Sequence, residues 1–88
     1  MSTAEKPSIR VFSTSWCPDC RRAKHLLDQR GVPYEAIDIE EQPEAEQRML
    51  QINGGIWRVP TIVFPDGSYL MEPSNPELNA HLAKLGLA

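Results

Sequence analysis

Cys17 and Cys20 stand in a single Cys-x-x-Cys step, Trp16-Cys17-Pro18-Asp19-Cys20, and are the only two cysteines in the chain. A β-like stretch, Ile9-Arg10-Val11-Phe12, runs into the motif, and a helical stretch, Arg21 to Arg30, runs out of it. The pair therefore belongs at a strand-to-helix turn, with the first sulfur at the helix N-terminus. Unpaired backbone N–H groups and the helix dipole stabilise an anion there. The thiolate is the attacking form in thiol–disulfide exchange. Cys20, within the first helical turn, is in reach of the Cys17 sulfur and can close a short disulfide. The pattern makes Cys17 a nucleophile and Cys20 a resolving thiol, and its place before a helix points to redox rather than structural use.

Other uses of the pair are poorly served. A structural zinc site asks for four ligands, and the chain adds only His25 and His81, so no metal is expected. Both histidines read as helix-surface residues. A purely structural disulfide around so small a loop constrains the unfolded chain little. An iron–sulfur or zinc site shared between two copies stays open as a reading of another class: a dimeric, non-catalytic module.

The elements that must position the pair follow from periodicity and turn residues. Ser8 to Ser13 reads as a first strand, and Thr14-Ser15-Trp16 as the loop presenting Cys17. Pro18 suits the first turn of a helix, where its missing N–H costs nothing. That helix runs to about Arg30, with Ala23, Leu26 and Leu27 on its apolar face, and Gly31 ends it. A second strand, Tyr34 to Ile39, joined to the first through a helix, must lie parallel to it by a right-handed crossover. A second helix, Pro43 to Ile52, buries Ala45, Met49 and Ile52, and Asn53-Gly54-Gly55 stops it. Thr61 to Phe64 is apolar and β-branched, a buried strand with Pro60 at its mouth. Pro65-Asp66-Gly67-Ser68 turns the chain into a fourth strand, Ser68 to Met71, antiparallel to the third. Ser74 or Asn75 caps a third helix that carries Leu78, Leu82 and Leu85 to its end near Leu85. The order β-α-β-α-β-β-α implies an α/β domain: one four-stranded mixed sheet flanked by three helices.

With 88 residues, 41% hydrophobic and 24% charged, the chain is one small domain, residues 8–88, behind a polar tail, Met1 to Pro7. A net charge of −3 and a pI of about 5.3 leave no basic stripe for nucleic acid. No apolar run approaches the length needed to span a membrane. The tail lacks a signal peptide's apolar core. With a redox-type cysteine pair, this points to the reducing cytoplasm.

The element order, with Cys-x-x-Cys opening the first helix and Val59-Pro60-Thr61 before the third strand, resembles the thioredoxin fold in its small glutaredoxin form. Thr14-Ser15-Trp16-Cys17, Asp38-Ile39-Glu40, Asn53-Gly54-Gly55, Asp66-Gly67-Ser68 and Pro73-Ser74 narrow the resemblance to mycoredoxins, actinobacterial proteins that act on mycothiol mixed disulfides. The resemblance implies that Cys17 attacks the mixed disulfide. It also implies that Val59–Pro60 is a cis peptide whose backbone lies against the sulfur and pairs with an extended substrate. The implied function is a thiol–disulfide oxidoreductase acting on mixed disulfides between proteins and a low-molecular-weight thiol (mycothiol-, bacillithiol- or glutathione-type), and on protein disulfides. It needs no bound cofactor. Electrons come from the small thiol, or from NADPH through a reductase. In the second case the nearest alternative is a thioredoxin-reductase-dependent hydrogen donor for ribonucleotide reductase. A monomer is expected.

Departures from the family pattern mark further candidates. Leu70-Met71-Glu72-Pro73-Ser74 stands where glutaredoxins carry a Gly-Gly and a nearby Asp that hold the γ-glutamyl end of glutathione. The substitution adds the Glu72 charge and disfavours glutathione. Asp19, between the cysteines, opposes thiolate formation and repels acidic thiols, and it is also a favourable acid in a first helical turn. Arg22 and Arg58 are candidates to steer a carboxylate-bearing substrate, or else solvated cations. Ser74 is a candidate to bind a carboxylate at a helix N-terminus, or else a cap. Trp16 and Trp57 read either as walls of the site that touch a partner or as core.

Overall fold

Ile9–Ser13 forms β1, Pro18–Gln29 α1, Tyr34–Asp38 β2, Pro43–Ile52 α2, Thr61–Val63 β3, Tyr69–Met71 β4 and Asn75–Lys84 α3. The computed structural model describes residues 8–87. The expected tail, Met1 to Pro7, lies outside the described residues. The strands make one four-stranded sheet in the order β2-β1-β3-β4. β1 pairs parallel with β2, placing Phe12 opposite Ile37. It pairs antiparallel with β3, placing Val11 opposite Ile62. β3 and β4 form the antiparallel hairpin expected from the Asp66-Gly67 turn.

Alternation along β1 sorts the core into two layers, because successive side chains of a strand point to opposite faces. Ile9 and Val11 pack with Leu26 and Leu27 of α1, Leu78 and Leu82 of α3, and Ile62 and Phe64. Phe12 packs on the other side with Ala45 and Met49 of α2. Cys17, Cys20 and Val59 belong to this second layer. The site is thus built where the end of β1, the start of α1 and the approach to β3 meet.

The expected boundaries shift by a residue or two for local reasons. The third strand stops at Val63 because the Phe64 N–H bonds the Ser68 carbonyl and closes the hairpin. Ser68 lies in the turn, its N–H bonded to the Asp66 carboxylate at 3.0 Å. Ile39 falls just past β2, although its N–H still reaches the Ser13 carbonyl at 3.0 Å. α1 ends at Gln29, and Gly31 takes the left-handed conformation (φ +68°) that releases the chain toward β2. His81 departs from the surface position expected of it. Its ring packs on Phe64 with centroids 4.3 Å apart, and its Nε2 lies 2.8 Å from Ser68 Oγ. The hairpin folding against α3 half-buries it. His25 is exposed, as its helix face requires.

Candidate active site

Cys17 is the N-cap of α1. Its backbone is extended (φ −89°, ψ 112°), Pro18 fills the first helical position, and Cys17 Sγ accepts the N–H of Cys20 at 3.1 Å. The sulfur thus takes the place that a serine or aspartate oxygen commonly holds in a cap. Both cysteines are free thiols; Cys17 retains 5% of its surface and Cys20 none. Burial, reinforced by its hydrogen bond with Cys17, pushes the Cys20 thiol up from an ordinary 9.0 to about 12. At neutral pH Cys20 is therefore a protonated thiol behind the exposed edge of Cys17.

The wall opposite the helix comes from the segment before β3. The Val59–Pro60 bond is cis. The N–H and C=O of Val59 have no hydrogen-bond partner among the described residues. Around them the segment is pinned. Thr61 Oγ1 donates to the Arg58 carbonyl at 2.7 Å, and the Glu72 N–H donates to the Pro60 carbonyl at 2.7 Å. Asn53 Nδ2 donates to Thr61 Oγ1 at 2.8 Å and to the Ile56 carbonyl at 3.1 Å. Asn53 reads in the sequence only as a helix stop. It is in fact a buried brace for this wall, and its partners, up to eight residues away, leave no local signal.

Between helix and wall lies a cleft of about 400 Å³ lined by Trp16, Cys17, Pro18, Asp19, Trp57, Arg58, Val59 and Glu72. A neighbouring depression of about 450 Å³ shares Asp19 and Glu72 and continues to Arg22, Pro73, Ser74, Asn75 and Glu77. Most of the residues expected from sequence therefore converge. Pro60 is buried directly behind Val59, and Arg22 and Ser74 sit in the second depression rather than in the cleft.

Both tryptophans are walls of the site and not core: Trp16 is 55% exposed and Trp57 43%. Their rings lie parallel within 10°, with centroids 6.5 Å apart. Each indole N–H donates to a carboxylate, Trp16 to Glu40 at 3.0 Å and Trp57 to Glu46 at 2.9 Å. Glu40 and Glu46 are functional candidates that sequence reasoning missed, because only folding brings them to the rings.

The cations near the sulfur are already engaged. Arg22 spans from α1 to α3, donating to Asn75 Oδ1 at 2.6 Å and to the Pro73 carbonyl at 2.8 Å, and it pairs with Asp19 at 3.5 Å. Arg58 pairs with Glu72 at 3.6 Å. Glu72 has φ +47° and is the one non-glycine residue in the left-handed region among the described residues. That conformation normally favours glycine. Ser74 is a cap. Its Oγ accepts the Glu77 N–H at 3.2 Å, and Glu77 Oε1 accepts the Ser74 N–H at 2.8 Å. This reciprocal pair closes the start of α3. It also holds the Glu77 carboxyl below its ordinary range, through the Ser74 backbone N–H first and the hydroxyl second. Among the described residues, no group of three or more His, Cys, Asp or Glu is arranged to hold a metal ion, and no helix is long and apolar enough to cross a membrane.

Residues 9–70 match the glutaredoxin family model. A Mycobacterium tuberculosis protein named as a glutaredoxin is 38% identical over 78 residues, covering 89% of this chain and 93% of that one. Mycoredoxin 1 of Corynebacterium glutamicum is 32% identical over 78 residues, covering 89% of this chain and 96% of its own. The crystal structure of a glutaredoxin from Archaeoglobus fulgidus superposes with a TM-score of 0.73 at 25% identity, covering 84% of each chain. The fold is thus the thioredoxin-like glutaredoxin fold expected from the order of elements.

Proposed function

The chain belongs to the glutaredoxin family and is a thiol–disulfide oxidoreductase; from that premise we propose that it reduces mixed disulfides between proteins and an uncharged, sugar-borne thiol of the mycothiol type. Cys17 is the nucleophile. Its thiolate attacks the small thiol's sulfur, the protein sulfur leaves as a thiolate and takes up a proton, and the small thiol stays on Cys17. A second molecule of small thiol then attacks that bound sulfur. It leaves as the symmetrical disulfide, and Cys17 is freed, so the small thiol supplies both electrons. Val59 offers its unpaired N–H and C=O to an extended substrate as an added strand. Trp16 walls the same cleft. Release by Cys20 is the slower route, because its buried thiol must first lose a proton held up to about 12. A redox-type Cys-x-x-Cys pair as the chain's only cysteines fits a reducing compartment, the cytoplasm, and one copy of the chain carries the complete site.

One observation carries the choice of thiol. The arginines that line the cleft and the adjoining depression, Arg58 and Arg22, are tied to the carboxylates Glu72 and Asp19, which line both hollows. A thiol bearing carboxylates finds no free cation there and two like charges. Two unit charges about 6 Å apart in water repel by roughly 0.7 kcal/mol, about threefold in rate for each pair. Similarity to a protein named mycoredoxin 1 supports the same choice.

The test offers one peptide as its mycothiol, bacillithiol and glutathione mixed disulfides, each with the matching free thiol, and oxidised protein to thioredoxin reductase with NADPH. The expected order is mycothiol first, with glutathione on the order of threefold to tenfold slower in kcat/KM. Glutathione turned over as fast as mycothiol would overturn the assignment. Reduction by the reductase alone would move the protein to the hydrogen-donor class.

A further inference from the structure

Two loops that meet at Cys17 each present one tryptophan to solvent, and the two rings are stacked, parallel within 10°. Trp16 comes from the β1–α1 loop and Trp57 from the segment leading to β3. Their parallel planes and 6.5 Å centroid separation define a single aromatic surface at the mouth of the cleft. An indole has one polar group, its N–H donor. Here both donors are used, on Glu40 and Glu46. What remains for a ligand is the ring faces, which are electron-rich, with a full negative charge held at the polar edge of each ring. Such a surface attracts a cation over the rings. The cation is not supplied from within: Arg58 is paired with Glu72, and Arg21 donates to the Ser15 carbonyl at 3.1 Å.

We propose that the Trp16–Trp57 surface is a docking site for an arginine or lysine side chain of the protein substrate, close in sequence to its disulfide-bonded cysteine. The proposal rests on the mixed-disulfide function given above. It adds a selection among protein targets: cysteines in basic surroundings are served first. Charge complementarity supports it on a second count, since the whole chain carries −3 while Arg58 of the cleft and Arg22 of the adjoining depression are already paired with carboxylates.

The experiment uses two synthetic peptides with one cysteine, each as its mixed disulfide with 2-mercaptoethanol, a neutral probe. They differ only in arginine or glutamine two positions from the cysteine. Rates are divided by those of the same peptides with free 2-mercaptoethanol, which removes the effect of arginine on the leaving thiol. The wild-type protein is expected to favour the arginine peptide about threefold to fivefold in kcat/KM. Trp57→Leu brings the ratio close to one. Glu46→Gln, which still accepts the indole N–H but carries no charge, gives an intermediate ratio and serves even if Trp57→Leu folds poorly. Equal turnover of the two peptides by the wild type, or a preference that survives both substitutions, overturns the docking site and leaves the mixed-disulfide function standing. No turnover of either peptide overturns both. Should Trp57→Leu instead slow the mycothiol mixed disulfides of both peptides equally, the surface holds the small thiol and the proposal fails.

Discussion

Two helices of this molecule begin in nearly the same way and end up with different work. α1 opens with Cys17 as cap and α3 with Ser74, and each has a proline within its first two positions. In each, the cap side chain accepts the N–H three residues on, at 3.1 Å for Cys17 and 3.2 Å for Ser74. In α3 the third helical residue is Glu77, whose carboxylate reaches back and closes the cap. In α1 that place is taken by Cys20, which closes nothing and leaves the start of the helix open to the cleft. One backbone design therefore serves stability where the cap is an oxygen closed by a carboxylate. It serves chemistry where the cap is a sulfur backed by a second sulfur.

Substitutions that exchange the two roles break the comparison most sharply. Cys17→Ser keeps a good cap, since serine is among the preferred residues there, but removes the sulfur that faces the cleft. Exchange should fall to background, a loss on the order of a hundredfold or more, because the thiolate is the reacting form. Urea unfolding should show the fold retained. Exchange at an unchanged rate would mean that the cap sulfur is a bystander.

Next in size is the pH dependence of the resolving step. Burial holds Cys20 as a thiol, so release of a substrate from Cys17 by Cys20 should rise about tenfold per pH unit from pH 7 toward 10. Over the same interval, release by a small thiol should follow that thiol's own ionisation. Stopped-flow release from a preformed Cys17 mixed disulfide separates the two. The same raised thiol contributes stability that is complete below its ordinary value near 9.0 and is lost as the pH climbs toward 12.

The smallest expected effect concerns the closed cap. Ser74→Ala should cost about 1 kcal/mol of stability, read from urea midpoints. Glu77 titrates below its ordinary value when folded. Its contribution is therefore present above the usual carboxylate range and lost as the pH falls through its lowered value. Wild type and Glu77→Gln, which keeps the cap but not the charge, should converge as the solution is acidified. A difference that persists unchanged at low pH would argue against the reciprocal cap.

Local patterns carried the architecture. The period of Ala23, Leu26 and Leu27, the Gly31 stop, the Asp66-Gly67 turn and the crossover rule are enough to place every element within two residues and to orient β2 against β1 and β4 against β3. The antiparallel pairing of β1 with β3 joins residues about fifty apart and has no local signal. The cysteine pair was legible for the same reason, since its meaning comes from a strand before it and a helix after it. The surroundings of the pair were not. Trp16 and Glu40 are 24 residues apart, and Arg22 and Asn75 are 53 apart. Nothing near each residue foretells its partner. Arg22 and Arg58 read as free cations because a sequence lists charges and not the carboxylates that folding sets beside them. Ser74 left two readings open until the geometry of Glu77 decided for a cap.

The most direct test of the central claim is to trap the first intermediate. Cys20→Ser protein is mixed with a peptide–mycothiol mixed disulfide, quenched with acid, and digested for mass spectrometry. The thiol released by Cys17 attack should be the peptide's, and the mass of mycothiol should appear on the fragment carrying Cys17. A fragment that stays unmodified while peptide thiol is released would contradict the assignment of Cys17 as the attacking sulfur.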